Sequence, residues 1–213
     1  MGSEKISHTT KSGTRRKPHD EVRAAALSAA EMIVVEEGLA ALTARRVATA
    51  AECSVGTLYN IFGHLDGLVG EVNLITLRRL VEDAARSQRE LPDGAGREDR
   101  LAALATCYLR FARTHRNRWS AVFEHRAATP GDGRREAMEQ LAFARIISAA
   151  GIDPKGASKA EQDSLRMLLA AIHGVVAFTM NQTIPVRDAE RYVELIVKAG
   201  VRGYRELLEE GLL

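Results

Sequence analysis

Two short helices separated by a tight turn are predicted between residues 43 and 68, and this segment constrains the fold more than any other. Thr43 and Ser54 each precede a short run with helical periodicity. Their hydroxyls can accept a hydrogen bond from an N–H group that the first helical turn leaves unpaired. We therefore predict helices over residues 44–51 and from Ser54 to about Phe62. This arrangement is a helix-turn-helix.

The second of these helices has two different faces. Leu58, Ile61 and Phe62 recur at i, i+3 and i+4, so they form one apolar face. The opposite face carries small and hydrogen-bonding residues, namely Gly56, Thr57, Tyr59 and Asn60. One side of the helix is therefore expected to pack, and the other to be displayed.

The displayed face fits the major groove of double-stranded DNA, which admits an α-helix and presents a base-specific pattern of donors and acceptors. Gly56 lets the backbone approach closely. The hydroxyls of Thr57 and Tyr59 suit phosphate oxygens, and the amide of Asn60 matches an adenine edge.

Arg45 and Arg46 add positive charge from the preceding helix, and Arg45 is a candidate for contact with guanine. The alternative is structural, since two short helices with an apolar face occur in many all-α proteins that bind no nucleic acid. Geometry alone leaves both interpretations open.

A specific order of residues favours the nucleic-acid interpretation. After Gly38, which ends an amphipathic helix, the order is Leu42, Thr43, Ser54, Gly56, Thr57, Leu58, Tyr59, Phe62 and Leu68. This order resembles the DNA-binding domain of the tetracycline-repressor-like (TetR) family of bacterial transcription regulators, over roughly residues 23–72. The resemblance implies an all-α fold with an N-terminal three-helix helix-turn-helix DNA-binding domain and a larger C-terminal helical domain for ligand binding and dimerisation.

The same resemblance implies roles for individual residues. The phosphate-contacting positions are Thr43, Thr57 and Tyr59. The base-facing positions are Arg45, Val55 and Asn60.

Two positions depart from the family pattern. Glu52 stands where the family has a turn glycine, and Leu65 stands where it has a phosphate-contacting lysine just before Asp66. An added acid and a lost lysine both weaken the attraction to DNA. His64 could compensate in part if it is protonated.

Composition places the chain among ordinary globular proteins, with 213 residues, 46% hydrophobic and 27% charged, which is enough for two domains. It has no run of 18 apolar residues and no apolar segment near the N-terminus, so we expect neither a membrane span nor a secretion signal, and a cytoplasmic location. Cys53 and Cys107 lack zinc-ligand spacing, and we expect reduced thiols and no cofactor or metal.

The net charge of +2 is weak support for a nucleic-acid partner, and residues 1–65 carry eight basic against seven acidic side chains. Positive charge is concentrated in an N-terminal arm, at Lys11, Arg15, Arg16 and Lys17. The arm could lie along a groove of DNA, or it could be a solvated disordered tail.

Three regions are predicted: a flexible basic arm over residues 1–18, the DNA-binding domain over 19–65, and an effector-binding and dimerisation domain over 66–213. Further helices are expected at residues 19–37, 66–90, 98–114, 119–127, 134–150, 160–184 and 188–210. The first should pack an alanine-rich face against Leu42, Val47, Leu58 and Phe62.

The last two helices are apolar over more of their circumference than one contact within the chain requires. Ala170, Gly174 and Ala177 permit close approach of another helix. We expect a homodimer that pairs these helices as a four-helix bundle. Packing within a single chain is the alternative.

A ligand cavity among the C-terminal helices is the second expected site. The candidate lining residues are Tyr108, Phe111, Trp119, Phe123, Phe143, Met167, His173 and Phe178. For each of them ordinary core packing is the alternative. Five arginines between residues 110 and 126 could form a solvated face or the entrance for an anionic ligand.

We therefore expect a dimeric transcriptional repressor that binds a palindromic DNA operator and releases it when a small-molecule effector binds the second domain. An effector-independent DNA-binding dimer is one alternative. A helical small-molecule-binding protein or enzyme is another, but the sequence contains no nucleophile with a spaced base, no phosphate-binding glycine loop and no metal-ligand cluster. We do not expect an enzyme.

Overall fold

The computed structural model describes residues 18–123, 134–149, 151–153 and 156–211. In chain order the helices are α1 (His19–Glu37), α2 (Ala44–Ala50), α3 (Val55–Phe62), α4 (Leu65–Arg89), α5 (Arg97–Thr114), α6 (Arg116–Phe123), α7 (Arg134–Ala149), α8 (Lys159–Met180) and α9 (Val186–Glu209). The all-α prediction is confirmed. The basic arm, the end of the helix predicted over 119–127, and Arg126 lie outside the described residues.

Two predicted helix ends lie three or more residues from their observed positions, and one short element was not predicted. A 3₁₀ turn, Leu39–Ala41, follows α1, and α6 begins at Arg116 rather than at Trp119. The helix predicted to reach residue 184 ends at Met180, because the chain turns with Gln182 at φ 61° before α9 begins at Val186. These differences arise in turns whose shape depends on neighbouring helices rather than on local periodicity.

Side chains cap three helices of the N-terminal region. Thr43 Oγ1 accepts a hydrogen bond from the N–H of Arg46 at 3.3 Å, and Ser54 Oγ accepts one from the N–H of Thr57 at 3.0 Å, as predicted. His64 caps α4 in the same way, with Nδ1 accepting from the N–H of Gly67 at 3.0 Å. These caps determine where α2, α3 and α4 begin.

The first hydrophobic core joins α1, α2, α3 and the first turns of α4. The predicted face of α1 is confirmed, since Ala26, Ala30 and Val34 are buried together with Val47 and Leu58. Two further members show how far this core extends. They are Val72 of α4 and Ala121 of α6.

The second core is built from α5, α8 and α9, with the C-terminal half of α4 and α7 packed beside them. Helix α9 lies between α5 and α8, and it buries Val193 and Val197 completely. Leu68 belongs to the first core, whereas Leu80 of the same helix belongs to the second. Helix α4 is therefore shared by both cores.

Helix α8 is apolar beyond the needs of the second core. Within the part of the chain that the structure describes, it alone has the length and composition that could cross a membrane, with a mean hydropathy of 1.3. Only 28% of that segment is buried in the protein. Its inner face, including Leu165 and Val176, packs into the second core, and its other face is left exposed.

Gly67 should tolerate no side chain, because a Cβ atom there would lie 2.2 Å from the backbone carbonyl oxygen of Phe62. Gly67→Ala must displace the connection between α3 and α4, and we expect it to lower the free energy of unfolding by roughly 1–3 kcal/mol. Gly70→Ala is the matched control, since a Cβ there meets no atom within 4 Å. It should stabilise α4 by up to about 1 kcal/mol. Urea unfolding followed by circular dichroism compares the two, and equal effects would contradict the packing described.

Candidate nucleic-acid interface and aromatic cluster

Helix α3 presents the face that the sequence predicts. Leu58 is only 1% exposed and lies in the first core, with Phe62 partly buried beside it. Tyr59 is 43% exposed, and Gly56 and Asn60 are also exposed. The groups suited to DNA contacts therefore face solvent.

The first turn of α3 is held by side-chain contacts. The hydroxyls of Ser54 and Thr57 lie 2.9 Å apart, so Thr57 is oriented by the residue that caps the helix. Val55, the first residue of α3, is partly exposed. Backbone N–H groups at this helix start, together with the Thr57 hydroxyl, form an arrangement that suits phosphate oxygens.

The two adjacent arginines of α2 have different environments. Arg45 is exposed and makes no hydrogen bond or ion pair with the residues that the structure describes. Arg46 donates to both carboxylate oxygens of Glu37, at 2.9 and 2.5 Å, and to the backbone carbonyl of Ala41 at 3.1 Å. The pKa of Glu37 is lowered, chiefly by its hydrogen bond to Arg46. A DNA contact by Arg46 stays a prediction, and it would require Arg46 to leave Glu37.

The turn between α2 and α3 contains a strained residue. Glu52 has φ 53°, a left-handed conformation that costs a non-glycine residue roughly 1–2 kcal/mol. This is the position where the sequence departs from the glycine of the TetR pattern. The substitution therefore costs conformational energy and also places an exposed carboxylate next to α3.

The second departure is at the start of α4. Leu65 packs against the first core, and its apolar side chain has no group that could bind a phosphate. His64 uses Nδ1 as the acceptor of the α4 cap, so that atom carries no proton, and protonating it would remove the cap. The ring donor left for a phosphate is Nε2–H of the neutral imidazole. The compensation predicted for protonated His64 thus conflicts with its capping role.

Arg23 was not singled out from the sequence, yet it joins three helices of this domain. Its guanidinium lies 5.6 Å from the centre of the Phe62 ring and 2.6 Å from Glu71 Oε1. The contact links α1 with α3 and α4. Arg23 and Glu71 are 48 positions apart, so no local spacing pattern in the sequence predicts their contact.

Four of the predicted cavity residues form an aromatic cluster, defined here as Tyr108, Trp119, Phe123 and His173. Ring centres within it are 5.3–6.1 Å apart. Trp119 is 1% exposed, whereas Phe123 and His173 are partly exposed. The rings of three helices, α5, α6 and α8, therefore fill this space themselves.

A chain of hydrogen bonds runs through the cluster. Trp119 Nε1–H donates to the Tyr108 hydroxyl oxygen at 2.9 Å, and that hydroxyl lies 2.7 Å from His173 Nδ1. Because indole only donates, the Tyr108 proton is available for a neutral His173. Burial raises the pKa of Tyr108 well above its ordinary value, so the hydroxyl keeps its proton.

The remaining cavity predictions have mixed outcomes. Phe111 is buried in the second core with its ring 4.9 Å from that of His115, and Phe143 packs partly buried against the same core. Met167 and Phe178 are 73% and 55% exposed on the outer face of α8, so neither side chain lines an internal cavity of this single chain. The sequence pattern did not distinguish the apolar residues on the buried face of α8 from those on its exposed face.

Two cavities lie elsewhere in the C-terminal helices. One, of about 190 Å³, is lined mainly by α5, α8 and α9 residues that include Leu101, Leu168 and Tyr204. The other, of about 650 Å³, lies beside Arg97 and Arg100. Neither is lined by any of the eight predicted cavity residues.

The arginines near α6 contact the protein itself. Arg113 pairs with Glu190 at 3.3 Å, Arg116 donates to the carbonyl of Met180 at 2.7 Å, and Arg118 pairs with Glu31 at 2.6 Å. These three are therefore structural rather than free to bind an anion. Arg118 and Glu31 also join α6 to α1, a contact that sequence reasoning missed.

Comparison with known proteins identifies the family. The model described as "Bacterial regulatory proteins, tetR family" matches residues 26–72, and "Tetracyclin repressor-like, C-terminal domain" matches residues 101–199. No protein of curated function matches the sequence.

Solved structures share the fold at low sequence identity. A TetR-like transcriptional regulator from Rhodococcus sp. RHA1 is 20% identical, with a TM-score of 0.59, over 88% of this chain and 100% of that one. A tetR-family regulator from Streptomyces coelicolor is 18% identical, with a TM-score of 0.62, over 90% and 85%. FadR from Bacillus subtilis, solved in complex with stearoyl-CoA, is 16% identical, with a TM-score of 0.59, over 82% and 97%.

The two family models cover the helix-turn-helix and most of the C-terminal helices described above. Members of this family are DNA-binding regulators and not enzymes. The chain belongs to the tetR family of bacterial transcriptional regulators.

Proposed function

We propose that the protein is a dimeric repressor that binds a palindromic operator through α3 and releases it when a small-molecule effector binds. The observation that carries this proposal is the orientation of α3, with Leu58 buried and Tyr59 and Asn60 exposed. We propose three regions for the protein: the basic arm at 1–18, the DNA-binding domain at 19–65 and the effector and dimerisation domain at 66–213. As for soluble regulators of this family, we place it in the cytoplasm.

The proposed DNA contacts follow from exposure and hydrogen-bonding capacity. Asn60 and Arg45 are exposed without partners among the described residues, which supports base contacts by both. The hydroxyls of Thr43 and Tyr59 and the Nε2–H of His64 suit phosphate oxygens. Gly56, Thr57 and Val55 would let the start of α3 enter the groove, and Arg46 would contribute only after leaving Glu37.

Asn60→Ala should weaken binding to the selected operator by roughly 1–3 kcal/mol and relax the preference at one base pair of each half-site. Tyr59→Ala should weaken binding to all duplexes, because it removes a phosphate contact. The operator is first selected from a pool of random duplexes and is expected to be palindromic. Fluorescence anisotropy then measures affinity.

Ser148→Ala is the control for this experiment, since Ser148 is exposed on α7, outside the proposed interface. Selection of no duplex, or equal affinities for Asn60→Ala and Ser148→Ala, would reject the assignment of α3.

The exposed faces of α8 and α9 support a homodimer. Large exposed apolar residues on these helices are Met167, Leu169, Phe178, Tyr192, Leu195, Leu207 and Leu208. Exposed large apolar side chains are typical of protein interfaces, and Gly174 and Ala170 permit close helix approach. We propose that two copies cover these faces as a four-helix bundle, which also positions two α3 helices for successive turns of a palindrome.

Phe178→Asp should convert the dimer to a monomer, because it places a charge in the apolar interface of the proposed bundle. Leu141→Asp is the matched control, since Leu141 on α7 is 53% exposed and Phe178 is 55% exposed. Sedimentation equilibrium measures the mass in solution. A dimer that survives Phe178→Asp, or that is lost equally in Leu141→Asp, would place the interface elsewhere.

The aromatic cluster is our candidate for the effector site. Phe123 is partly exposed at the end of α6, so its displacement would open the cluster, and the Tyr108 hydroxyl and His173 would offer polar contacts. FadR from Bacillus subtilis was solved with stearoyl-CoA, which supports an apolar effector for this fold. We propose an apolar effector with one polar end, and Phe111 and Phe143 as neighbouring core residues.

An effector-independent DNA-binding dimer is the second candidate function. It is favoured by the packing of the four rings against one another and by the location of both cavities outside the cluster. In that case the C-terminal domain would serve dimerisation alone.

Trp119 is the only tryptophan of the chain, so intrinsic fluorescence reports directly on the cluster. We expect an effector to shift or quench the Trp119 emission at the concentration that releases the operator. Stearoyl-CoA and free fatty acids of graded length are the first probes. Release without a change in emission would place the effector site elsewhere, and failure of every probe to release the operator would favour the effector-independent dimer.

A further inference from the structure

Arg118 has an unusual environment for an arginine. Among the residues that the structure describes, Arg118 is the one charged residue that is buried, with 7% of the residue exposed. It lies on α6, and its Nη2 donates to Glu31 Oε1 of α1 at 2.6 Å. Removing a guanidinium from water is costly, and a buried ion pair is therefore weak evidence of a purely stabilising role.

The carboxylate of Glu31 is shared. Arg79 of α4 donates to the same Oε1 atom at 3.1 Å, so one carboxylate faces two guanidinium groups. Arg118 Nη1 is buried with no hydrogen-bond partner. The site thus joins α1, α4 and α6, but it leaves one buried donor unsatisfied, a cost that another arrangement of α6 could relieve.

Two further hydrogen bonds hold α6 to the DNA-binding domain and to α4. Asn117 Nδ2 donates to the carbonyl of Val35 on α1 at 2.9 Å. Asn73 Nδ2 of α4 donates to the carbonyl of Ala121 at 2.9 Å, and the Ala121 side chain is part of the first core. Three of the five α6 positions from Asn117 to Ala121 therefore contact α1 or α4, through a side chain or through the backbone.

The residue next to Arg118 belongs to the other domain. Trp119 is part of the second core and of the aromatic cluster, and it donates to Tyr108. Because α6 is a single helix of eight residues, Trp119 cannot shift without moving Arg118. A displacement of the α6 backbone at Trp119 would therefore also move the residue that pairs with Glu31 of α1.

We infer that Arg118 is a positioning residue: its ion pair with Glu31 sets the orientation of the DNA-binding domain relative to the C-terminal domain and couples the aromatic cluster to operator affinity. The effect on operator affinity rests on the proposed function. The geometric part, which is the control of interdomain orientation, does not depend on DNA.

Arg118→Met is the main variant, since a flexible apolar side chain of similar length keeps the packing and removes the pair. Glu31 then retains Arg79 and partial exposure to water. Glu31→Gln is the second variant, because it removes the charge but keeps an oxygen that Arg118 can donate to. Arg113→Met is the matched control, since it breaks the exposed ion pair with Glu190 between α5 and α9.

The experiment measures a distance within one chain. Spin labels are attached at Thr49→Cys on α2 and Ser148→Cys on α7, both exposed positions, in a Cys53→Ser background, and labelled chains are diluted into unlabelled protein. We expect a narrow distance distribution for the parent protein and for Arg113→Met. Arg118→Met and Glu31→Gln should broaden or shift it, and the double variant should change it no further than Arg118→Met alone.

Operator affinity provides the second readout. Arg118→Met should change it about tenfold or more, with helix content and dimer mass unchanged. A purely structural residue would lower the melting temperature while leaving both the distance distribution and the affinity of the folded protein intact, and that result would overturn the inference. If Arg118→Met does not fold, Glu31→Gln decides. Failure of the parent protein to select any duplex rejects the proposed function instead, while the distance measurement still decides the orientation role.

Discussion

Burial of Leu58 is the interaction on which the presentation of α3 depends. Removing a leucine side chain from water contributes roughly 1.5–3 kcal/mol, and rotating α3 to expose it would bury the amide of Asn60 without a partner, which costs a similar amount. Both effects favour the same orientation. The cap at Ser54 and the change of direction at Gly63, with φ 76°, then determine where this short helix begins and ends.

The turn before α3 shows how this core offsets local strain. Glu52 adopts a left-handed conformation that glycine would adopt more cheaply. The cost, roughly 1–2 kcal/mol, is no larger than the gain from burying Leu58 alone, so the turn keeps its shape. The added carboxylate and the packed Leu65 both reduce the positive potential at the DNA-binding surface. In the proposed interface, exposed Arg45 would become correspondingly more important for attraction to phosphate or bases.

The features predicted from the sequence are those that depend on residues within one or two helical turns. The caps at Thr43 and Ser54 and the apolar face of α3 are of this kind, and the structure reproduces them. Contacts between distant residues were not predictable. The pairing of Arg46 with Glu37 depends on how α1 approaches α2, and the burial of Arg118 depends on where α6 meets α1. Periodicity also cannot distinguish an apolar residue that faces the core from one on the outer face of a helix, as the exposure of Met167 shows.

The two faces of α8 bear on how a signal could move through the protein. Its inner face packs with α5 and α9, and in the proposed bundle its outer face packs against a second copy, so α8 and α9 are held on both sides. Helix α6 differs, because it is short and divides its contacts between the two cores. If Trp119 is displaced, α6 can therefore push against the proposed bundle on one side or against the smaller DNA-binding domain on the other. In the proposed dimer the bundle would resist this displacement, so a change at the aromatic cluster would reorient the DNA-binding domain and alter the spacing of the two α3 helices.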